Sequence, residues 1–320
     1  MSKPEKLSVL FSFKNEEKNI RKLVKRTTDT CKTCLQDQLI SEYEIIFVDD
    51  ASSDKSNLIL NELRVVHPNI QIHKTTRSFG NAECLRYAIQ ASCGDIICYL
   101  DADLQDPPEI IYDLIKEYQN HDVDIVYTKR LSRRGESRFK LLITWLGYKF
   151  LSAISSYPLL KNVGDFTLIN RKVANQLKNL PEQLPYTRGI VQYFGYPHRI
   201  FEYNRDPRND GAENSKFPIF NLKVWYGYFD RALLSTTDLP LKIFFPLSLI
   251  LFSFSFIVTL HVIIQIVFNT APPGWSSIIL ITLILAAINF LSLGAISLYI
   301  NNIYLTLRGR PDIIIRNVDK

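Results

Sequence analysis

The sequence has no glycine-rich phosphate loop: its 12 glycines form neither G-x-G-x-x-G nor G-x-x-x-x-G-K-[ST]. Dinucleotide and P-loop sites cradle phosphate on the backbone N–H groups of such loops, so both are disfavoured and phosphate neutralisation is left to cations. Cysteine is scarce, and the five present (31, 34, 84, 93, 98) are an odd number, which argues against a disulfide framework. Cys31-x-x-Cys34 lacks the second CxxC or histidine pair of a zinc site and lies late in a helical segment, so reduced structural thiols are expected. Met1–Lys6 leads straight into a strand without an apolar h-region, so no signal peptide is expected. Internal repeats and low-complexity tracts are also missing.

Charge of either sign is missing from two stretches, Pro246–Phe268 and Ile278–Ile300. Each would make about 35 Å of helix, against a hydrocarbon core of about 30 Å. Buried core helices would not need two adjacent runs of this length. His261, Gln265 and Asn289 are the polar exceptions and are expected to face the partner helix. The connector Asn269–Ser277 is uncharged and carries Trp275, whereas Arg231, Lys242, Arg308, Arg310 and Arg316 flank the other ends. Positive residues stay inside, so an integral membrane protein with two transmembrane helices is expected, both termini and the soluble domain being cytoplasmic.

What is present begins with a net charge of +6, concentrated locally. Lys129–Lys140 (KRLSRRGESRFK) holds six basic residues and one acidic one, and Phe139–Ser155 after it is rich in large apolar and aromatic side chains. Nucleic acid would explain only the first half. Membrane lipids with anionic headgroups explain both, so no nucleic-acid partner is expected.

The first half alternates strands and helices: strands at Leu7–Phe13, Glu44–Val48, Ile70–Lys74, Ile96–Leu100 and Asp124–Lys129, helices at Glu17–Leu35, Lys55–Val66, Asn81–Ser92 and Pro108–Asn120. Such alternation predicts a largely parallel sheet covered on both faces. In such sheets ligands bind outside the carboxyl ends of the strands. Acidic residues collect there: Glu16 after the first strand, Asp49-Asp50 after the second, and Asp101-Ala102-Asp103 after the fourth. D-x-D alone is weak, with roughly one expected by chance in such a chain. Asp122-Val123-Asp124 is a control within the same sequence, since it precedes a strand at the edge where ligands do not normally bind. Position, then, marks Asp101 and Asp103 as candidate ligands for a hard divalent cation shared with a diphosphate.

These residues, in this order, resemble a family. Ser12-Phe13-Lys14-Asn15-Glu16 stands where P-x-Y-N-E is usual, and Val48-Asp49-Asp50-Ala51-Ser52-Ser53-Asp54 where V-D-D-G-S-x-D is. Arg77-Ser78-Phe79-Gly80-Asn81 resembles the R-N-x-G segment, Asp101–Pro108 matches D-A-D-L-Q-D-P-P without change, and Gly164-Asp165-Phe166-Thr167 resembles G-D-F-R. Arg188-Gly189, Arg205-x-x-Arg208, Gly211, Ser215-Lys216 and Arg308-Gly309-Arg310-Pro311 complete the series. The chain is similar to the family 2, GT-A-fold polyprenyl-phosphate glycosyltransferases, a group that includes dolichyl-phosphate mannose synthase and bacterial undecaprenyl-phosphate sugar transferases. Ser12, Lys14, Ala51 and Thr167 depart from the usual proline, tyrosine, glycine and arginine.

The resemblance implies an α/β GT-A (Rossmann-like, mostly parallel sheet) catalytic domain over residues 1–218. Interfacial helices over 219–242, a two-helix transmembrane hairpin over 243–307 and a C-terminal tail over 308–320 would follow. It implies inverting transfer of a sugar from a nucleoside-diphosphate sugar to a polyprenyl phosphate, with Mg²⁺ or Mn²⁺ as cofactor. Asp101, Asp103 and Gln105 would be the metal ligands. Glu16, Asp50, Asp101, Gln105, Arg188, Ser215 and Lys216 would bind donor and metal, and Asp165, Arg205 and Arg208 would be catalytic. Arg133, Arg134 and Arg138 would guide the lipid headgroup, and Asn204–Phe217 is expected to be a closing flap. A phosphate monoester is already largely dianionic at neutral pH, so Asp165 is read either as proton acceptor or as an orienting group. A processive polysaccharide synthase would need a Q-x-x-R-W segment and more spans, and neither is present. Transfer to a glycan or lipid-linked sugar hydroxyl, an inactive sugar-nucleotide-binding scaffold and self-association of the hairpin remain open.

Overall fold

The computed structural model describes residues 5–131, 163–180, 187–204, 274–309 and 313–319, with isolated positions between them. The sequence expectations for Arg133, Arg134 and Arg138, the flap beyond its first residue Asn204, the 219–242 segment and most of the first apolar stretch lie outside the described residues.

Strand β1 (Glu5–Phe13) is buried almost throughout, and apolar side chains cover both of its faces, as a central parallel strand requires. It pairs in parallel with β2 (Ile40–Asp49) and β4 (Ile96–Asp101), and β2 pairs in parallel with β3 (Ile70–Thr75). Helices α1 (Ile20–Gln36), α2 (Ser56–Val66), α3 (Asn81–Ala91) and α4 (Ile110–His121) make the crossovers. Alternation along β1 divides the core: Val9 and Phe11 pack with α1 and α4, while Leu10 packs against α3 on the other face. Phe11 stacks on Phe47 with ring centroids 4.9 Å apart. Cys31, Cys34 and Cys98 lie in the first of these layers, and all five cysteines are free. Burial pushes the Cys34 thiol up to about 11 and Cys31 and Cys98 higher still, which suits inert structural thiols.

Beyond β5 (Ile125–Arg130), the sheet contains strands that the sequence reading did not anticipate. β6 (Val163–Asn170) inserts antiparallel between β4 and β5, and β7 (His198–Tyr203) pairs in parallel with β5. β8 (Ile315–Asp319), within the segment read as a tail, pairs antiparallel with β3. The order is β7-β5-β6-β4-β1-β2-β3-β8, a mostly parallel, GT-A-like α/β sheet in which β6 and β8 run against the rest. Helices α5 (Arg171–Lys178) and α6 (Thr187–Tyr193) follow β6. α1 starts three residues later than expected, because the Glu16 carbonyl accepts from the Asn19 and Ile20 amides in a turn.

The segment 236–310 separates from the sheet domain as a second compact unit. Its described part is α7 (Trp275–Leu307), 33 residues or about 50 Å of helix. Within it, Ile284–Asn301 is long and apolar enough to cross a membrane by length and composition, and none of that window is buried. Phe290 is 74% exposed, and Ile284, Leu293 and Ile300 are likewise exposed, which a core helix would not show. It is the one such helix among the described residues.

Candidate active site

The strand register delivers acidic residues to one sheet edge. Phe13 pairs with Asp49 and Ser12 with Asp101, so β1, β2 and β4 end together. A cleft of about 250 Å³ opens there, lined by Ser12, Phe13, Lys14 and Glu16 after β1, Asp50 after β2, Asn81 at the start of α3, and Asp101–Asp103. Among the described residues, four carboxylates and one cationic side chain, Lys14, therefore face a small shared space. The control pair behaves as position predicts. Asp122 is the left-handed C-cap of α4, and Asp124 bonds Asn170 at the opposite edge, where β4 begins.

The loops around the cleft are tied to one another. The Asn15 amide donates to Ser52 Oγ at 3.0 Å, the Ser53 amide to Asn15 Oδ1 at 2.9 Å, and the Glu16 amide to Ser56 Oγ at 2.9 Å. Asp54 accepts from the Glu17 amide at 3.1 Å and the Ser56 amide at 3.0 Å. These bonds hold its carboxyl below the ordinary value against the upward push of burial. Asp49 is fully buried and accepts from the Ser52 amide and Asn57. Asp50 accepts from Ser78 Oγ at 2.7 Å and from the Phe79 and Gly80 amides at 2.6 and 3.2 Å. It thereby shapes the 77–81 loop, across which the Arg77 guanidinium lies 4.0 Å over the Phe79 ring.

Asn81, legible in the sequence as the end of the R-N-x-G-like segment and the start of a helix but without a site role there, donates to Asp101 Oδ1 at 3.2 Å. The signal for it was its place as first residue of a helix facing the D-x-D strand end. Asp103 accepts from the Gln105 amide at 3.1 Å, through a turn in which Leu104 has φ +58°. The Gln105 side chain is not among the cleft-lining groups. Asp165 lies on β6: carrying the Tyr99–Thr167 pairing two residues further along each strand sets it level with Asp101. Among the described residues no cluster of three or more acidic, histidine or cysteine side chains could hold an ion by itself. Two carboxylates beside a cleft are the set used when a substrate diphosphate completes the coordination, so the residues fit a shared divalent cation.

Residues 8–178 match the glycosyl transferase family 2. The chain belongs to that family. It is 32% identical to the bactoprenol glucosyl transferase of Shigella phage SfV, over 98% of each chain. An uncharacterised glycosyltransferase of Bacillus subtilis, YkcC, is 31% identical over 99% of this chain and 95% of its own. The prophage bactoprenol glucosyl transferase homolog of Escherichia coli K12 is 32% identical over 87% of this chain and 90% of its own.

In this glycosyltransferase each departure from the usual motif now has a place. Ser12 and Lys14 line the cleft. Ala51 adopts φ +56°, which accounts for glycine being the residue otherwise found there. Thr167 is buried in the sheet, opposite Tyr99 and Tyr127. Arg188 lies on α6, its side chain outside the described residues, as are Arg205, Arg208, Ser215 and Lys216.

Proposed function

We propose that this family 2 glycosyltransferase moves a sugar, with inversion, from a nucleoside-diphosphate sugar to a polyprenyl phosphate at the cytoplasmic membrane face. One observation carries the donor half: among the described residues, Glu16, Asp50, Asp101 and Asp103 surround a cleft whose one lining cation is Lys14. A diphosphate entering such a field is repelled unless a divalent cation accompanies it, because like charges a few ångströms apart cost several kcal/mol at reduced dielectric. Asp101 and Asp103, with Gln105, would hold Mg²⁺ or Mn²⁺, which would offset the charge that the leaving nucleoside diphosphate gains. Asn81 orients Asp101 for that task. Glu16 and Asp50 border the nucleoside side, with Asp50 acting mainly through the loop that occupies its oxygens.

The acceptor half rests on the relatives named bactoprenol glucosyl transferases and on the apolar helix. Residues 1–218 would form the catalytic domain, 219–242 interfacial helices, 243–307 a two-helix membrane hairpin and 308–320 the C-terminal segment. Arg188, Arg205, Arg208, Ser215 and Lys216 would screen the meeting of two anions, and Asp165 would orient the acceptor phosphate or take its residual proton. The test is mass spectrometry of lipid products formed by the membrane-embedded enzyme from a panel of nucleoside-diphosphate sugars, with polyprenyl phosphate or a lipid-linked glycan as acceptor. A polyprenyl-phosphate sugar is expected. Product on the glycan alone, or no product from any donor, would overturn the reading.

A further inference from the structure

A buried polar node lies beside the acidic cleft and outside every role assigned above. Asp106, three residues past Asp103, is fully buried. It accepts one hydrogen bond from the Tyr203 hydroxyl and a second from Arg130 Nη2 at 3.2 Å, while Arg130 Nε donates to the Tyr203 oxygen at 3.4 Å. A buried carboxylate is costly without partners, and these two partners occupy chemically specific places. Arg130 is the last residue of β5 and Tyr203 the last of β7, and the two are paired in register. The Leu131 amide donates to the Tyr203 carbonyl at 2.9 Å, so both strands leave the sheet at the same point. Gly164, the residue before Asp165, packs on the same guanidinium: a Cβ there would sit 3.4 Å from Arg130 Nε and Nη2.

Four segments therefore meet at this node: the D-x-D loop that carries Asp106, the ends of β5 and β7 that bond it, and the start of β6, where Gly164 next to Asp165 packs on Arg130. In the sequence, β5 is followed by Arg133, Arg134 and Arg138, and β7 by Arg205 and Arg208. We propose that Asp106 and Tyr203 are positioning residues that fix the exits of both arginine-bearing segments against the donor carboxylates, so that acceptor alignment depends on a group that touches neither substrate. The inference rests on the acceptor reading given above. Burial, followed by the adjacent Asp106 charge, raises the Tyr203 phenol well above its usual range, so the hydroxyl stays protonated and able to donate.

Tyr203→Phe removes one hydroxyl and leaves the ring that packs edge-on against Phe166. In the full-length enzyme in lipid nanodiscs, this variant should bind UDP or GDP with Mn²⁺ as wild type does and keep its donor KM within about twofold. Its kcat/KM for polyprenyl phosphate should fall by about tenfold or more. Asp106→Asn should act in the same direction, and the double variant should be little worse than the worse single, since residues acting as one unit are not additive. Unchanged acceptor kinetics in a folded Tyr203→Phe variant would overturn the proposal, as would equal losses toward donor and acceptor. Should Asp106→Asn not fold, Tyr203→Phe alone decides. A wild-type enzyme that transfers nothing to polyprenyl phosphate would overturn the acceptor reading and the proposal with it.

Discussion

The Phe79 amide donates to the Asp50 carboxylate at 2.6 Å, and this bond ties the end of β2 to the loop that opens α3. Gly80 donates to the same carboxylate with φ +109°, a backbone state that side chains rarely adopt. A Cβ at Gly80 would also lie 2.8 Å from Glu83 Oε2. Gly80→Ala should therefore cost about 1–3 kcal/mol, read from urea unfolding of the detergent-solubilised protein. Asp50→Asn should leave one backbone amide donor facing the new side-chain NH₂, at about 1–3 kcal/mol, and raise the donor KM about tenfold or more. Wild-type donor KM in Asp50→Asn would remove this loop from the donor site.

Ala51 holds a left-handed conformation beside the cleft without the freedom of glycine. The left-handed region costs an L-residue about 1–2 kcal/mol, and part of that gain is returned as unfolded-chain entropy when glycine replaces it. Ala51→Gly should stabilise the enzyme by about 0.5–1 kcal/mol and leave kcat unchanged. A lower unfolding midpoint would show that the Ala51 methyl is worth more in packing than in strain.

The parallel half of the fold was legible because each strand there is a short apolar run closed by acidic or turn residues. Ile96–Leu100 and Asp101 are an example, and the helices between such runs have unambiguous apolar faces. β6, β7 and β8 were not. β8 (IRNVD) is mostly exposed on one strand's edge and carries no apolar alternation to read, and β7 begins in exposed residues. Among site residues, Glu16, Asp50, Asp101 and Asp103 could be placed because strand ends define an edge. Asp106 could not be assigned: in sequence it looks like a third acid of the same motif. Only the long-range approach of Arg130 and Tyr203 distinguishes it, and no local pattern encodes that approach.

The carboxylate pair at the end of β4 should show itself through metal dependence. Asp101→Asn and Asp103→Asn should each lower kcat by about 10²-fold or more, with thermal stability close to wild type because both side chains border the cleft. EDTA should abolish wild-type transfer, and Mg²⁺ or Mn²⁺ should restore it. Transfer by Asp103→Asn at the wild-type rate under saturating donor would refute the metal role.

Acid should loosen the sheet domain through Glu109. Partial burial raises its carboxyl, but paired hydrogen bonds from Arg26 at 2.7 and 2.6 Å outweigh that push and hold it below its ordinary 4.5. A carboxylate depressed in the folded state contributes stability above its unfolded pKa and loses it as pH falls through the folded value. The difference in melting temperature between wild type and Arg26→Gln should therefore be constant from about pH 7 to 5 and shrink below about pH 4. A difference independent of pH would assign the contribution of Arg26 to packing.

β8 closes what would otherwise be an open edge at β3. Ile72, His73, Lys74 and Thr75 pair with Asp319, Val318, Asn317 and Ile315, and the Thr76 amide donates to the Ile314 carbonyl at 3.0 Å. The same strand end anchors the 77–81 loop, since Thr75 Oγ1 donates to the Arg77 carbonyl at 2.7 Å and approaches the Asp49 carbonyl at 3.1 Å. Removing residues 315–320 should thus have two effects. The exposed β3 edge should promote association, seen as increased light scattering on warming, because unpaired strand edges template further pairing. The melting temperature should fall by about 2–4 °C for each kcal/mol lost. The donor KM should rise as the 77–81 loop loses its anchor, while acceptor KM stays near wild type. Asn317→Pro, which alters one β8 residue and keeps chain length, should reproduce the same pattern more weakly. Unchanged melting and donor KM in both variants would mean that β3 and its loop are held from the β2 side alone.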